Sequence, residues 1–157
     1  MIPSLPFYNL PEVDPCFAGV FPVEAATLIP EGGILAVNAA GNVVPAGPTV
    51  TGFAIGRAET GIDNTLGAAG AVTVNVLRGV YALQLDATHP PGPTNVGQNV
   101  YMTAPDTVST LSTITCLGGV LIGFDDLGNA IVDFRALGPK GEQGNAGPAG
   151  PAGPAGA

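Results

Sequence analysis

The last twenty residues of the chain, Gly138–Ala157, repeat with a strict period of three. The triplets read Gly-Pro-Lys, Gly-Glu-Gln and Gly-Asn-Ala, followed by Gly-Pro-Ala three times. A collagen triple helix requires this period, because every third residue lies on an axis where three chains leave no room for a Cβ. The alternative is a flexible or disordered tail, which has no need to keep the register. The period predicts a homotrimer, with axial glycines at Gly138, Gly141, Gly144, Gly147, Gly150, Gly153 and Gly156.

The tail is too short to hold three free chains together. At ~3.1 Å per residue it makes a rod of roughly 60 Å. Lys140 and Glu142 are separated by one glycine, so they can pair between neighbouring chains, but exposed pairs contribute only about 0–1 kcal/mol each. We therefore expect the preceding domain to trimerise first and to hold the tails together at an effective concentration on the order of millimolar. The candidate residues near the three-fold axis are Phe134, Ala136 and Leu137.

The composition of the chain also favours assembly. Apolar residues make up 46% of the sequence and charged residues only 10%, where about a quarter is usual. Such a surface is expected to be buried against copies of the chain or against a partner. The net charge of −8, with no basic cluster in the sequence, argues against nucleic-acid binding through phosphates.

Residues 1–30 are expected to form an extended N-terminal arm. Six prolines in this segment disfavour a helix or a central strand. Its aromatic residues need a surface on which to bury, either on their own domain or on a neighbouring subunit. They are the candidate contact residues of the arm: Phe7, Tyr8, Phe17 and Phe21.

Residues 31–137 are predicted to form an all-β domain, either a small barrel or a sandwich. Apolar residues alternate along short segments, and none shows a sustained helical period. The pattern predicts a hairpin in which residues 71–77 and 80–85 pair across Arg78-Gly79. The glycine-bounded segments Gly52–Gly56 and Gly119–Gly123 share the pattern Gly-x-x-Ile-Gly, 67 residues apart. This faint repeat suggests two similar halves, with coincidence as the alternative.

No motif in the sequence indicates catalysis, a cofactor or a metal site. His89 lies in a proline-rich loop without a nucleophile motif nearby. Asp125 and Asp126 lie in a segment typical of a turn, which lacks the spaced ligands of a calcium loop. Cys16 and Cys116 are interpreted as idle or buried thiols, although a disulfide between them stays open. We therefore expect no enzymatic activity.

Targeting signals are not evident either. The first basic residue is Arg57, so Met1 is not followed by a basic region of the kind that begins a signal peptide. Uncharged stretches are interrupted by Asn, Pro and Gly, which argues against a membrane span. The expected place of synthesis is the cytoplasm.

Four segments of residues 31–137 resemble the small capsid cement, or head decoration, proteins of tailed phages. They are Gly79–Leu83, Val96–Met102, Val120–Phe124 and Ala130–Arg135. The sequence differs from the family's pattern at Gln98, where an acidic residue is usual, and also in its arm and its tail. The resemblance implies a protein on the outside of a phage head, often trimeric, that braces adjacent capsomers and has neither catalytic residues nor cofactor.

Together these features predict a structural virion protein that binds the major capsid protein at three-fold positions on the outer surface of the head. The collagen-like tail is expected to project outward, where its tip is free to contact a host surface. The alternatives are a trimeric tail-fibre or receptor-binding module, in which such repeats normally connect two folded domains, and a bacterial collagen-like surface protein, which normally carries an export signal.

Overall fold

The computed structural model describes residues 16–135, except the side chains of residues 16–18. These residues form twelve β-strands and one short 3₁₀ turn (Pro93–Asn95), with no α-helix among them, so the expected all-β class is confirmed. In chain order the strands are β1 (Cys16–Pro22), β2 (Thr27–Ile29), β3 (Ile34–Val37), β4 (Val43–Pro45), β5 (Gly52–Ala58), β6 (Ile62–Asn64), β7 (Thr73–Arg78), β8 (Val80–Leu85), β9 (Asn99–Ala104), β10 (Thr107–Ser109), β11 (Cys116–Phe124) and β12 (Ala130–Asp133).

The last five strands form a small closed barrel. Their order is β10-β9-β11-β12-β8, and a parallel contact between β8 and β10 closes the ring. The other neighbouring pairs are antiparallel. Closure leaves few backbone groups unpaired, so a barrel of short strands can be stable without covering helices. The expectation of a small barrel is therefore confirmed.

The first half of the body repeats this strand order. β4-β3-β5-β7-β1 corresponds position by position to β10-β9-β11-β12-β8. Here the closing contact is a single parallel bridge between Val23 and Val43. The backbone N–H of Glu24 then donates to the Val43 carbonyl at 3.1 Å, as the N–H of Asp86 donates to the Val108 carbonyl at 2.8 Å in the second half. The topology thus contains two similar halves, joined by a parallel contact between β5 and β11.

The glycine pattern in the sequence aligned the two halves in the wrong register. In the structure Gly56 corresponds to Gly119. A Cβ on Gly56 would meet the carbonyl of Leu77 in the next strand, and a Cβ on Gly119 would meet the carbonyl of Asp133 in the same way. Gly56 also has a φ of 150°, which favours glycine. The spacing is therefore 63 residues rather than 67.

The predicted hairpin between residues 71–77 and 80–85 is wrong. β7 pairs with β1 and β5 in the first half, whereas β8 pairs with β12 and β10 in the second. Gly79, the single residue between them, is where the chain passes from one half to the other. Alternating apolar residues determine which face of a strand is buried but not which strand lies beside it, so the pattern was compatible with either arrangement.

The expected boundary between arm and body at residue 30 also changes. β1 pairs along its length with β7, and β2 pairs with β6, so residues 16–30 belong to the body. Pro22 ends β1 and Pro30 directly follows β2, where a missing N–H does not interrupt a ladder. Residues 1–15, which include Phe7 and Tyr8, lie outside the described residues.

Each half has its own apolar core. The first-half core lies inside β1, β3, β4, β5 and β7, and the second-half core fills the closed barrel and extends to the facing side of β3 and β5. The first-half core consists of Val23, Ile29, Leu35, Val43, Ile55, Ala58, Val74 and Val76. The second-half core consists of Ile34, Ala36, Ala46, Ala54, Tyr81, Leu83, Val100, Met102, Val108, Cys116, Leu121, Ala130, Val132 and Phe134.

Candidate functional site

Most of the contact residues predicted from the sequence lie outside the described part of the chain. This applies to the seven tail glycines, Lys140, Glu142, Ala136, Leu137, Phe7 and Tyr8. Phe17 lies in β1, but its side chain is not described. Phe21 is half-buried and packs against the first-half core, so its ring is in contact with its own domain.

Phe134, the remaining candidate for the three-fold axis, packs inside its own barrel. Its side chain is 1% exposed, and its ring centroid lies 6.1 Å from that of Tyr81. This position follows from β12, in which Ala130 and Val132 point inward and Phe134 continues the alternation. The side chain of Phe134 therefore fills the end of its own barrel.

The structure brings together three basic residues that are far apart in the sequence. We call Arg57, Arg78 and Arg135 the arginine cluster; they are the only basic residues among the described ones. The Cζ of Arg57 lies 5.8 Å from the ring centroid of Tyr81, within the range of a cation–π interaction. Arg78 is 8% exposed and donates from Nε to the carbonyl oxygen of Phe134 at 3.0 Å.

Asp133 is the acidic partner within the arginine cluster. Arg135 donates from Nε to Oδ1 and from Nη2 to Oδ2 of Asp133, both at 3.1 Å, which is the two-pronged geometry that guanidinium and carboxylate groups favour. Burial acts to raise the pKa of Asp133, but the hydrogen bonds from Arg135 and the charges of Arg135 and Arg78 outweigh it. The pKa of Asp133 therefore lies below its ordinary value, and the carboxylate stays ionised at neutral pH.

The arginine cluster marks the end of the body where the described chain both begins and stops. Cys16, the first described residue, lies opposite Arg78 in the ladder of β1 and β7. The same Arg78 holds the carbonyl of Phe134, one residue before the last described position. The first and the last described residues therefore lie at the same end of the body. These arginines are far apart in the sequence, and no local pattern groups them.

His89 does not form a catalytic triad with its polar neighbours. Its Nδ1 lies 3.8 Å from Oδ2 of Asp86, and the hydroxyl of the buried Ser109 donates to the backbone carbonyl of His89 at 3.4 Å. The serine hydroxyl is thus directed at a carbonyl instead of a ring nitrogen, so the histidine is not placed as its general base. Asp86 accepts from the backbone N–H of His89 at 3.0 Å, which makes the group a loop-stabilising network.

Asp125 and Cys116, the other residues considered for a chemical role, occupy structural positions. Asp125 closes the turn between β11 and β12, accepting at Oδ1 from the backbone N–H groups of Leu127 and Asn129. Cys116 is a buried free thiol whose pKa is raised by burial, so it is not in a disulfide. Within residues 16–135 no group of three or more His, Cys, Asp or Glu side chains is placed to hold a metal ion. No helix in the same residues is long and apolar enough to cross a membrane.

Comparison of the chain with protein-family models, curated proteins and solved structures gave no significant match.

Proposed function

We propose that this protein is a trimeric decoration protein of a tailed-phage capsid, and that it stabilises the shell from outside. The observation that carries the proposal is the attachment of a strictly periodic Gly-X-Y tail to the closed barrel. Only Ala136 and Leu137 separate Arg135 from the first glycine of the tail. Three barrels that associate near this point hold the three tail starts together, which favours a triple helix that is too short to form alone.

The location of the family-like segments supports the same proposal. Gly79–Leu83 covers most of β8, Val96–Met102 leads into β9, Val120–Phe124 is the second half of β11, and Ala130–Arg135 contains β12. The resemblance therefore falls on four of the five strands of the closed barrel. These segments form one structural unit, as expected if the unit is what the chain shares with decoration proteins.

The mechanism of stabilisation is linkage between binding and assembly. A protein that binds only the assembled shell lowers the free energy of that shell by its own binding free energy. The sparsely charged chain offers surface that can be buried against capsomers at modest desolvation cost. No enzyme activity or cofactor takes part in this proposed mechanism.

The direct test is to mix the purified protein with undecorated phage heads and to image the product by electron cryomicroscopy. We expect ordered density on the outer surface at three-fold positions and increased resistance of the heads to heat. Heads that stay bare, together with binding of the protein to host cells, would favour a fibre or receptor-binding module instead.

The trimer is tested separately by sedimentation. Three chains of 15.5 kDa give a particle of about 47 kDa. Deletion of residues 138–157 is expected to leave this mass, less the tails, and head binding intact, because the body trimerises first. A truncated protein that sediments as a monomer would show that the tail drives trimerisation.

A further inference from the structure

Two connections of the body each present an exposed leucine. Leu66 lies between β6 and β7 and is fully exposed, and Leu127 lies between β11 and β12 and is 81% exposed. We call residues 63–67 and 125–129 the leucine turns. Single exposed leucines are common on protein surfaces. These two, however, occupy corresponding places, because the chain passes from β5 to β7 in the first half and from β11 to β12 in the second.

Both leucine turns are closed by an aspartate. In the first turn, Oδ1 of Asp63 accepts from the backbone N–H of Thr65 at 3.0 Å. In the second, Oδ1 of Asp125 accepts from the backbone N–H of Leu127 at 3.0 Å. The backbone that carries each leucine is therefore ordered before any partner binds. An apolar side chain on an ordered turn costs less conformational entropy to bury against a partner than one on a mobile loop.

The leucine turns lie at one end of the body, and the start of the tail lies at the other. β5 and β11 are parallel neighbours, and each is antiparallel to the strand on the far side of its turn, β7 or β12. β7 and β12 therefore run in the same direction, away from the leucine turns. They end together, where Nε of Arg78 donates to the carbonyl of Phe134 at 3.0 Å, one residue before the last described position.

The connections that contain the leucine turns are acidic. The one between β5 and β7 contains Glu59 and Asp63, the one between β11 and β12 contains Asp125 and Asp126, and neither contains a basic residue. Side-chain and backbone hydrogen bonds within each turn lower the pKa values of Asp63 and Asp125, so both carboxylates are ionised at neutral pH. An anionic lipid surface repels such an end, whereas a protein surface with basic residues around an apolar socket attracts it.

We propose that the leucine turns are the two anchors by which the body docks onto the shell, with Leu66 and Leu127 inserted into apolar sockets that are rimmed by basic residues. The inference rests on the proposed function, because a tail that projects outward leaves the opposite end of each body facing the shell. Since the two halves present the same feature, one body makes two linked contacts. Two linked contacts bind more tightly than either one alone.

The test is a binding isotherm of the full-length protein on undecorated phage heads, measured by cosedimentation. The variant Leu66→Ser with Leu127→Ser is expected to bind at least ~10-fold more weakly than wild type, because the burial of two leucine side chains is lost. The matched control is Val20→Ser, which removes a 58% exposed apolar side chain from β1 and should bind as wild type does. Equal binding by wild type and the double variant would overturn the inference and leave the proposed function intact. Wild-type protein that left the heads bare would contradict both.

Other occupants of the leucine turns are distinguished with the same variant. Its urea denaturation and its sedimentation should match those of wild type, because the exposed leucines contribute little to the packing of the body. A smaller particle would show that the turns join copies of this chain, and would overturn the assignment to the shell. Vesicles of phosphatidylcholine and phosphatidylserine should not bind the wild type. Vesicle binding that the double variant loses would assign the turns to a membrane instead.

The basic rim of the sockets is tested by salt. Raising the salt to about 0.5 M should weaken the binding of wild type to heads, since charges at the edge of an interface are screened. Binding that does not change with salt would contradict the basic rim.

Discussion

The first half of the body (β1, β3, β4, β5 and β7) and the second half (β8 to β12) arrange their strands in the same order, but they close differently. The second half closes through the ladder of β8 and β10, and the first through the single bridge between Val23 and Val43. The first half also contains an inserted pair of short strands, β2 and β6. The comparison indicates that the same strand order can be kept with only one closing bridge when additional strands, here β2 and β6, lie beside that bridge.

The insertion is connected to the closing bridge by polar contacts. The side-chain amide of Asn64, at the end of β6, donates to the carbonyl of Glu24 at 2.9 Å and to that of Ala68 at 3.1 Å. The carboxylate of Glu24 in turn accepts from Nδ2 of Asn38 at 2.7 Å and of Asn42 at 3.2 Å, at the turn between β3 and β4. Side-chain hydrogen bonds thus support the closing contact of the first half, whereas a backbone ladder closes the second half.

The largest expected effect comes from the glycines that the two halves share. Gly56→Ala and Gly119→Ala should each lower the free energy of unfolding by about 3 kcal/mol, because the new Cβ meets a backbone carbonyl that cannot move freely. Gly123→Ala is the matched control in β11, since a Cβ there meets nothing within 4 Å. Urea denaturation followed by circular dichroism measures all three. If the Gly119→Ala protein were as stable as wild type, the inference that Gly56 and Gly119 are structurally equivalent would be contradicted.

The next comparison truncates corresponding core residues. Val76 and Val132 are both fully buried, one in each half. Each Val→Ala change should cost about 2 kcal/mol, from the lost apolar burial and the cavity that remains. The matched control is Val96→Ala, an exposed position where a change within about 0.5 kcal/mol is expected. Val76→Ala could produce a separate early unfolding transition while Val132→Ala shifts a later one. The two halves would then be independent folding units, and their shared topology would not imply cooperative unfolding.

A smaller effect is expected from the insertion itself. Asn64→Ala should destabilise the protein by about 1–2 kcal/mol, because two carbonyls lose a buried donor. We expect the backbone N–H of Glu24 to exchange faster in this variant while that of Asp86 is unchanged, which confines the damage to the closure of the first half. Asn75→Ala removes an exposed amide bonded to Glu59 and serves as control. Equal effects of Asn64→Ala and Asn75→Ala on stability would show that the insertion does not support the bridge.

The smallest effect concerns two similar turns. Asn38 accepts at Oδ1 from the backbone of Ala40 and Asn42 in the first half, as Asp125 does from Leu127 and Asn129 in the second. Hydrogen bonds from the side chain and backbone of Asn129 lower the pKa of Asp125 from its ordinary value of 3.8.

A lowered folded-state pKa means that Asp125 contributes stability above pH 3.8 and that this contribution is lost as the pH falls through the folded-state value. Asp125→Asn makes the second turn resemble the first, so the variant should lose less stability than wild type on acidification below that pH. Urea midpoints at a series of pH values measure the difference. Superimposable pH profiles of the two proteins would show that the carboxylate has no advantage over the amide.

Local features of the structure could be predicted from the sequence. Alternating apolar residues predicted the strands Thr73–Arg78 and Val80–Leu85, and the turn at Asp125 and Asp126 was also predicted correctly. The prolines of residues 1–30 were interpreted as evidence against a helix or a central strand. Residues 16–22 form a strand all the same, but β1 lies at the end of the strand order and Pro22 is its last residue. Local sequence patterns could not have prevented the incorrect hairpin prediction or the incorrect 67-residue spacing, because both depend on which strands become neighbours.

The sequence by itself determined the period of the tail and the all-β class, because these properties follow from residues close together in the chain. The tertiary structure alone decided that β7 and β8 separate into two halves, that Phe134 is buried in its own barrel and that Arg57, Arg78 and Arg135 meet at one end. These outcomes depend on contacts between distant segments. Such contacts form only when many strand pairings are satisfied at once, and no local pattern records them.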